Sequence, residues 1–118
     1  MLIVDDDPLL RRALMRMFRS YYRVTTLEAK EAVALVTQGE RFDVILCDVM
    51  MPDLDGIEVH DALAAVDKAL VERFVFMTGG VGKGQRERLV ALGKPVMPKP
   101  FTLTEFFANV DEDGKPSR

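Results

Sequence analysis

Histidine and cysteine each occur once in this chain, positive charge is in slight deficit, and no apolar run approaches the length needed to span a bilayer. A single cysteine, Cys47, excludes an internal disulfide and cannot build a zinc site alone. It stands inside an apolar run, where it reads as a small buried hydrophobe. The one histidine, His60, falls on the polar side of a predicted helix. It is expected to be exposed and, without a partner base or ligand, takes no role. A net charge of −3 argues against nucleic acid as the main ligand, because phosphate backbones demand a basic face. The opening MLIVDDD lacks the basic region of a signal peptide. These features describe a soluble, cytoplasmic domain with no membrane insertion and no direct nucleic-acid contact.

What is present is the material for one core. The chain has 118 residues, 48% of them hydrophobic, which suits a single domain. Short apolar runs at 2–4, 22–25, 43–47, 73–77 and 95–97 read as five strands, and the unbroken DVILC run suits a central parallel strand. Between them, apolar residues recur at helical spacing. Leu10, Ala13, Leu14, Met17 and Phe18 mark a first helix, opened by Asp7 as cap and Pro8 in its first turn. A second runs from about Glu28 to Gln38 and stops at Gly39. Val59, Ala62, Leu63 and Val66 give a third helix its face, and 85–92 a short fourth. Thr102 and Glu105 form a capping-box pattern before a fifth. Strands alternating with helices in this way predict a doubly wound α/β sheet with right-handed crossovers and helices on both faces. The final DEDGKPSR is polar, so the domain is expected to span 1–111 and the tail, 112–118, to fray.

One stretch needs a chemical explanation. In LCDVMMPDLDG an apolar strand ends on Asp48, and a charge there costs free energy unless something compensates it. The other strands end alike: strand one on Asp5-Asp6, strand four on Thr78, and strand five before Lys99-Pro100. Ligands of such sheets bind outside the carboxyl ends of the strands, so these five residues are expected to converge. Three carboxylates in one pocket repel each other unless a cation is present. An oxygen-only set favours a hard ion, Mg²⁺ above all. Metal, lysine and hydroxyl together match the needs of a transferring phosphoryl group, with Asp48 as nucleophile.

LIVDDD, LCDVMMPDLDG, FMTGG and PKPF, in that order and spacing, resemble the receiver domain of two-component response regulators from Leu2 to about Val110. The resemblance implies a flavodoxin-like sheet with strand order 2-1-3-4-5. It implies that Asp48 is phosphorylated from the phosphohistidine of a histidine kinase or histidine phosphotransfer protein. By it, Asp6, Asp48 and the Met50 carbonyl would ligate Mg²⁺, with Asp5 acting through bound water. Lys99 would pair with the phosphoryl group, while Thr78 and the Gly79 N–H would move to hold it. The Lys99-Pro100 bond would be cis.

Other features have plainer readings. Asp7 caps, and Asp53 and Asp55 form a turn before Gly56. GGVGKG lacks the first glycine and the hydroxyl residue of a phosphate loop. Arg11, Arg12, Arg16 and Arg19 read as a solvated helix face, with partner docking as a second reading. Val96 stands where the family usually has an aromatic switch, and the segment between Thr78 and Lys99 suggests a reduced or mobile fourth helix. Both traits are similar to receivers linked covalently to hybrid histidine kinases, and the abrupt start of the chain fits excision from a longer protein. The leading function is therefore a signalling module that catalyses its own phosphorylation and dephosphorylation without being a conventional turnover enzyme. The alternative is a phosphorylation-independent pseudo-receiver; a small-ester hydrolase ranks third, for want of room for a cap domain.

Overall fold

The computed structural model describes residues 1–110. Five strands, β1 (Leu2–Val4), β2 (Thr25–Leu27), β3 (Ile45–Asp48), β4 (Phe74–Thr78) and β5 (Val96–Pro98), alternate with five helices. The helices are α1 (Pro8–Phe18), α2 (Ala29–Thr37), α3 (Gly56–Val66), α4 (Lys83–Leu92) and α5 (Leu103–Val110). All strand pairs are parallel, in the order β2-β1-β3-β4-β5. This is the expected doubly wound arrangement.

The apolar strands are explained by burial on both faces, since successive side chains point to opposite sides. Leu2, Val4, Ile45, Cys47, Phe74 and Phe76 enter one core with Ala32 and Val36 of α2 and Ile57, Val59 and Leu63 of α3. Ile3, Leu46, Val75, Met77 and Met97 enter the other with Leu14 and Phe18 of α1 and Phe106 and Phe107 of α5. Phe18 and Phe106 meet edge to face at 4.7 Å, joining α1 to α5. Asp7 caps α1 through the Leu9 N–H, and Thr102 caps α5 through the Glu105 N–H. Gly39 follows α2 with φ 111°, a conformation that favours glycine.

Three expectations need correction. Strand β2 begins at Thr25, not Tyr22, because the Tyr21 and Tyr22 N–H groups still bond to the Phe18 carbonyl and prolong the turn. Tyr22 packs into the α1/α5 core instead, and pairing starts with the Thr25 N–H on the Met1 carbonyl. The inner face of α3 is also rotated: Ile57, Val59, His60 and Leu63 are buried, while Val66 is exposed. His60 is therefore not a surface residue. Its ring stands edge-on to Phe74 at 5.1 Å and lies 6.0 Å from Phe76, while Nδ1 hydrogen-bonds Asp61 Oδ1 at 3.1 Å. Finally, a short 3-10 turn, Lys68–Val71, precedes β4 where no element was expected.

The fourth helix has ten residues but buries only Leu89, so it is reduced in anchorage, not in length. No helix among the described residues is long and apolar enough to cross a membrane. The expected polar tail lies outside the described residues.

Candidate functional site

Parallel registration of β1 with β3 brings their carboxyl ends side by side, Val4 opposite Cys47, so the residues that follow, Asp5 and Asp48, become neighbours. Carboxylate oxygens of Asp5, Asp6 and Asp48 all lie within 4.8 Å of one another. Asp5 and Asp48 are buried; Asp6 is exposed. Lys99 arrives from the end of β5, where its N–H donates to the Thr78 carbonyl at 2.8 Å. Its Nζ lies 3.2 Å from Asp48 Oδ1 and 3.6 Å from Asp5 Oδ2. The peptide bond that follows, Lys99-Pro100, is cis, as expected.

Burial raises the Asp5 carboxyl above its usual range; the Asp7 N–H opposes this, and the Asp48 charge adds to it. Burial likewise raises Asp48, against the nearby Lys99 ammonium and the Met50 N–H. The adjacent Cys47 thiol is pushed well up, first by burial and then by the two carboxylates. Three carboxylates thus share the pocket with one lysine. Asp5 Oδ2 is buried without a hydrogen-bond partner among the described residues, with the Lys99 ammonium 3.6 Å away, and the buried Asp48 Oδ1 is faced by the same ammonium at 3.2 Å. Closely grouped oxygens with no nitrogen or sulfur among them fit a small hard cation.

These shifts set a pH dependence. A carboxyl raised in the fold above its ordinary 3.8 stabilises the fold at low pH, and that contribution is lost as pH rises through the raised value. The metal-free wild type is thus expected to lose melting temperature from pH 3.8 upward relative to Asp48→Asn. Melting curves in chelator at stepped pH check this; parallel curves would mean that Asp48 titrates as it does in water.

Thr78 and Gly79 close the same edge. The Thr78 hydroxyl is mostly buried and accepts the Gly80 N–H at 2.9 Å, while Gly79 is exposed. Met50 follows Asp48 in the β3–α3 loop with its side chain half exposed. Val96 is partly exposed and lines a cavity of about 590 Å³ between α4 and β5, whose wall also includes Thr78 and Lys99. Asp53 and Asp55 stay outside the carboxylate cluster, Asp55 as the cap of α3. Two residues at the site were given no part in it by the sequence reading. Arg11 donates from Nη1 to the Asp5 carbonyl at 2.6 Å, and Gly56 abuts the Asp48 carbonyl.

The fold and site define a class: doubly wound domains with an acidic, lysine-facing pocket at the carboxyl edge of the sheet. The sequence pattern described as "Response regulator receiver domain" matches residues 1–111, and the chain belongs to that family. It is 33% identical over 114 residues to the response regulator MprA of Mycolicibacterium vanbaalenii, matching 92% of this chain and 47% of that protein. It is 30% identical to the transcriptional activator protein PfeR of Pseudomonas aeruginosa, over 94% of this chain and 36% of that one. The chain thus spans less than half the length of these curated relatives. Among solved structures, the Vibrio cholerae chemotaxis protein CheY4 superposes with a TM-score of 0.78 at 27% identity, covering 93% of this chain and 96% of that one. The receiver domain of the sensor histidine kinase PA1611 from Pseudomonas aeruginosa superposes at 0.72 with 30% identity, covering 86% and 84%. That structure has a magnesium ion coordinated in its active-site cleft.

Proposed function

We propose that this domain accepts a phosphoryl group on Asp48 from the phosphohistidine of a histidine kinase or phosphotransfer protein, in a cytoplasmic relay. The observation that carries the reading is the buried Asp48 carboxylate, its Oδ1 3.2 Å from the Lys99 ammonium and its oxygens grouped with those of Asp5 and Asp6. A carboxylate largely shielded from solvent and faced by an ammonium group is placed to act as a nucleophile. An Asp48 oxygen attacks phosphorus, the P–N bond breaks, and the departing imidazole keeps its electron pair and takes up a proton. Asp6, Asp48 and the Met50 carbonyl would hold Mg²⁺, with Asp5 acting through water; bound there, the ion neutralises phosphoryl oxygens and the carboxylate cluster. Lys99 exchanges its contact with Asp48 for one with the new phosphoryl oxygens. The Thr78 hydroxyl leaves the Gly80 N–H and, with the Gly79 N–H, binds the group, carrying the change from β4 to β5 through the Lys99–Thr78 backbone bond. Attack of water on phosphorus breaks the Asp48 O–P bond, releases inorganic phosphate and returns the resting carboxylate, so the product is a conformation.

The test is intact-protein mass after incubation with a small phosphoramidate and Mg²⁺. One added phosphoryl group, and none when Mg²⁺ is chelated before the donor is added, is the expected result. Absence of any gain, from this donor and from a phosphorylated histidine phosphotransfer protein, would favour the pseudo-receiver.

A further inference from the structure

Arg11 takes no part in the chemistry above, yet its guanidinium reaches the backbone that leads into the acidic pocket. Its Nη1 meets the Asp5 carbonyl oxygen, just past the end of β1, at 2.6 Å, a short contact for a charge-assisted bond. The rest of the turn is tied down as well. The Asp7 N–H donates to Asp5 Oδ1 at 2.8 Å, and Asp7 Oδ1 accepts the Leu9 N–H at 2.9 Å. The Arg11 N–H donates to the Asp7 carbonyl at 3.0 Å, so one residue grips both ends of the Asp5–Asp7 turn. Asp6 is the middle of that turn. It is exposed, and the backbone on either side sets where its carboxylate stands relative to Asp5 and Asp48.

We propose that Arg11 is a positioning residue for the divalent-cation pocket: by holding the Asp5 carbonyl it fixes the turn that presents Asp6 to Asp5 and Asp48. The inference rests on the cation reading given above. Arg12 and Arg16 are exposed on the same helix and Arg19 just past its end, and of the four only Arg11 hydrogen-bonds Asp5. Charge and position make opposite predictions here. A guanidinium beside a cation pocket repels the incoming ion by charge alone, so losing the charge tightens binding. Losing the grip on the turn loosens it.

Isothermal titration of the full chain with Mg²⁺ separates the two, using Arg11→Met and Arg11→Gln to remove the grip and Arg11→Lys to keep a charged donor. Both neutral variants are expected to bind Mg²⁺ at least about tenfold more weakly, within the roughly 10–100-fold typical of groups that orient metal ligands. Arg11→Lys recovers part of the loss. At saturating Mg²⁺ the phosphorylation rate of the neutral variants returns toward wild type, since Arg11 touches no reacting atom. Either neutral variant, if folded by circular dichroism, is sufficient, and Mg²⁺ affinity equal to or tighter than wild type in it overturns the proposal. A wild type that binds no Mg²⁺ overturns instead the cation reading beneath it.

Discussion

Asp48→Asn is expected to abolish phosphoryl gain entirely while leaving the domain folded. The amide is nearly the same size as the carboxylate, so the buried position at the end of β3 is refilled without a cavity. Its lone pair is delocalised over the amide, and neither oxygen nor nitrogen carries the charge that attacks phosphorus. Lys99 keeps Asp5 as a partner at 3.6 Å, so the change strands no lysine. Burial is the largest influence on Asp48 and works against its ionised form, so the neutral variant melts higher than wild type in chelator near neutral pH. Mg²⁺ stabilises a protein by binding its native state alone, and with one carboxylate fewer the melting shift on adding millimolar-range Mg²⁺ shrinks. Wild type and variant are compared side by side by intact mass and by thermal melting. A phosphoryl group on the Asn variant would place the acceptor elsewhere; a lower melting temperature in chelator would mean that the Lys99–Asp48 contact outweighs the burial cost.

Most of the site was legible because buried parallel strands advertise their ends. Apolar runs stop where the sheet stops, so Asp5, Asp48, Thr78 and Lys99 could be assigned to one edge without knowing any angle. Strand order came from the family resemblance and holds, but the parity of each strand was a different matter. Leu2, Ile3 and Val4 are all apolar, and nothing in their identity tells which two face α3 and which one faces α1. His60 was misread because a polar residue near a helix surface normally points outward. Here α3 turns further into the sheet, where the imidazole meets the Phe74 ring edge to face and lies tilted beside Phe76. Tyr21 and Tyr22 carry strong strand propensity, but packing against Phe106 and Phe107 decides their place instead. Arg11 looked like the three other arginines in and just after its helix. Spacing cannot show that one guanidinium meets a backbone carbonyl.

Gly56 is the clearest case of a residue whose function is to be absent, and Gly56→Ala is expected to damage both fold and site without touching a functional group. A Cβ there would stand 2.3 Å from the Asp48 carbonyl oxygen, 2.9 Å from Val49 Cα and 3.0 Å from the Asp48 carbonyl carbon. All three atoms belong to backbone, so no rotamer relieves the clash. The close approach is built in: the Gly56 N–H donates to the Val49 carbonyl at 3.0 Å, and Asp55 caps the helix that begins there. Alanine in a helix is favoured over glycine by about 1 kcal/mol, which works for the variant. Overpacking costs about 1–3 kcal/mol and occasionally more, and a backbone contact this short belongs at the upper end. The net loss of about 2 kcal/mol lowers Tm by roughly 5–15 °C in a domain of this size. Relief requires movement of one of two bodies. If α3 withdraws, Ile57, Val59 and Leu63 lose burial; if the end of β3 withdraws, Asp48 leaves its place beside Asp5 and Lys99. Thermal melting reads the first, and Mg²⁺ affinity with phosphorylation rate reads the second. An alanine variant with wild-type values in all three would show that this helix start and the Asp48 backbone are not in contact, and that the glycine serves only the turn.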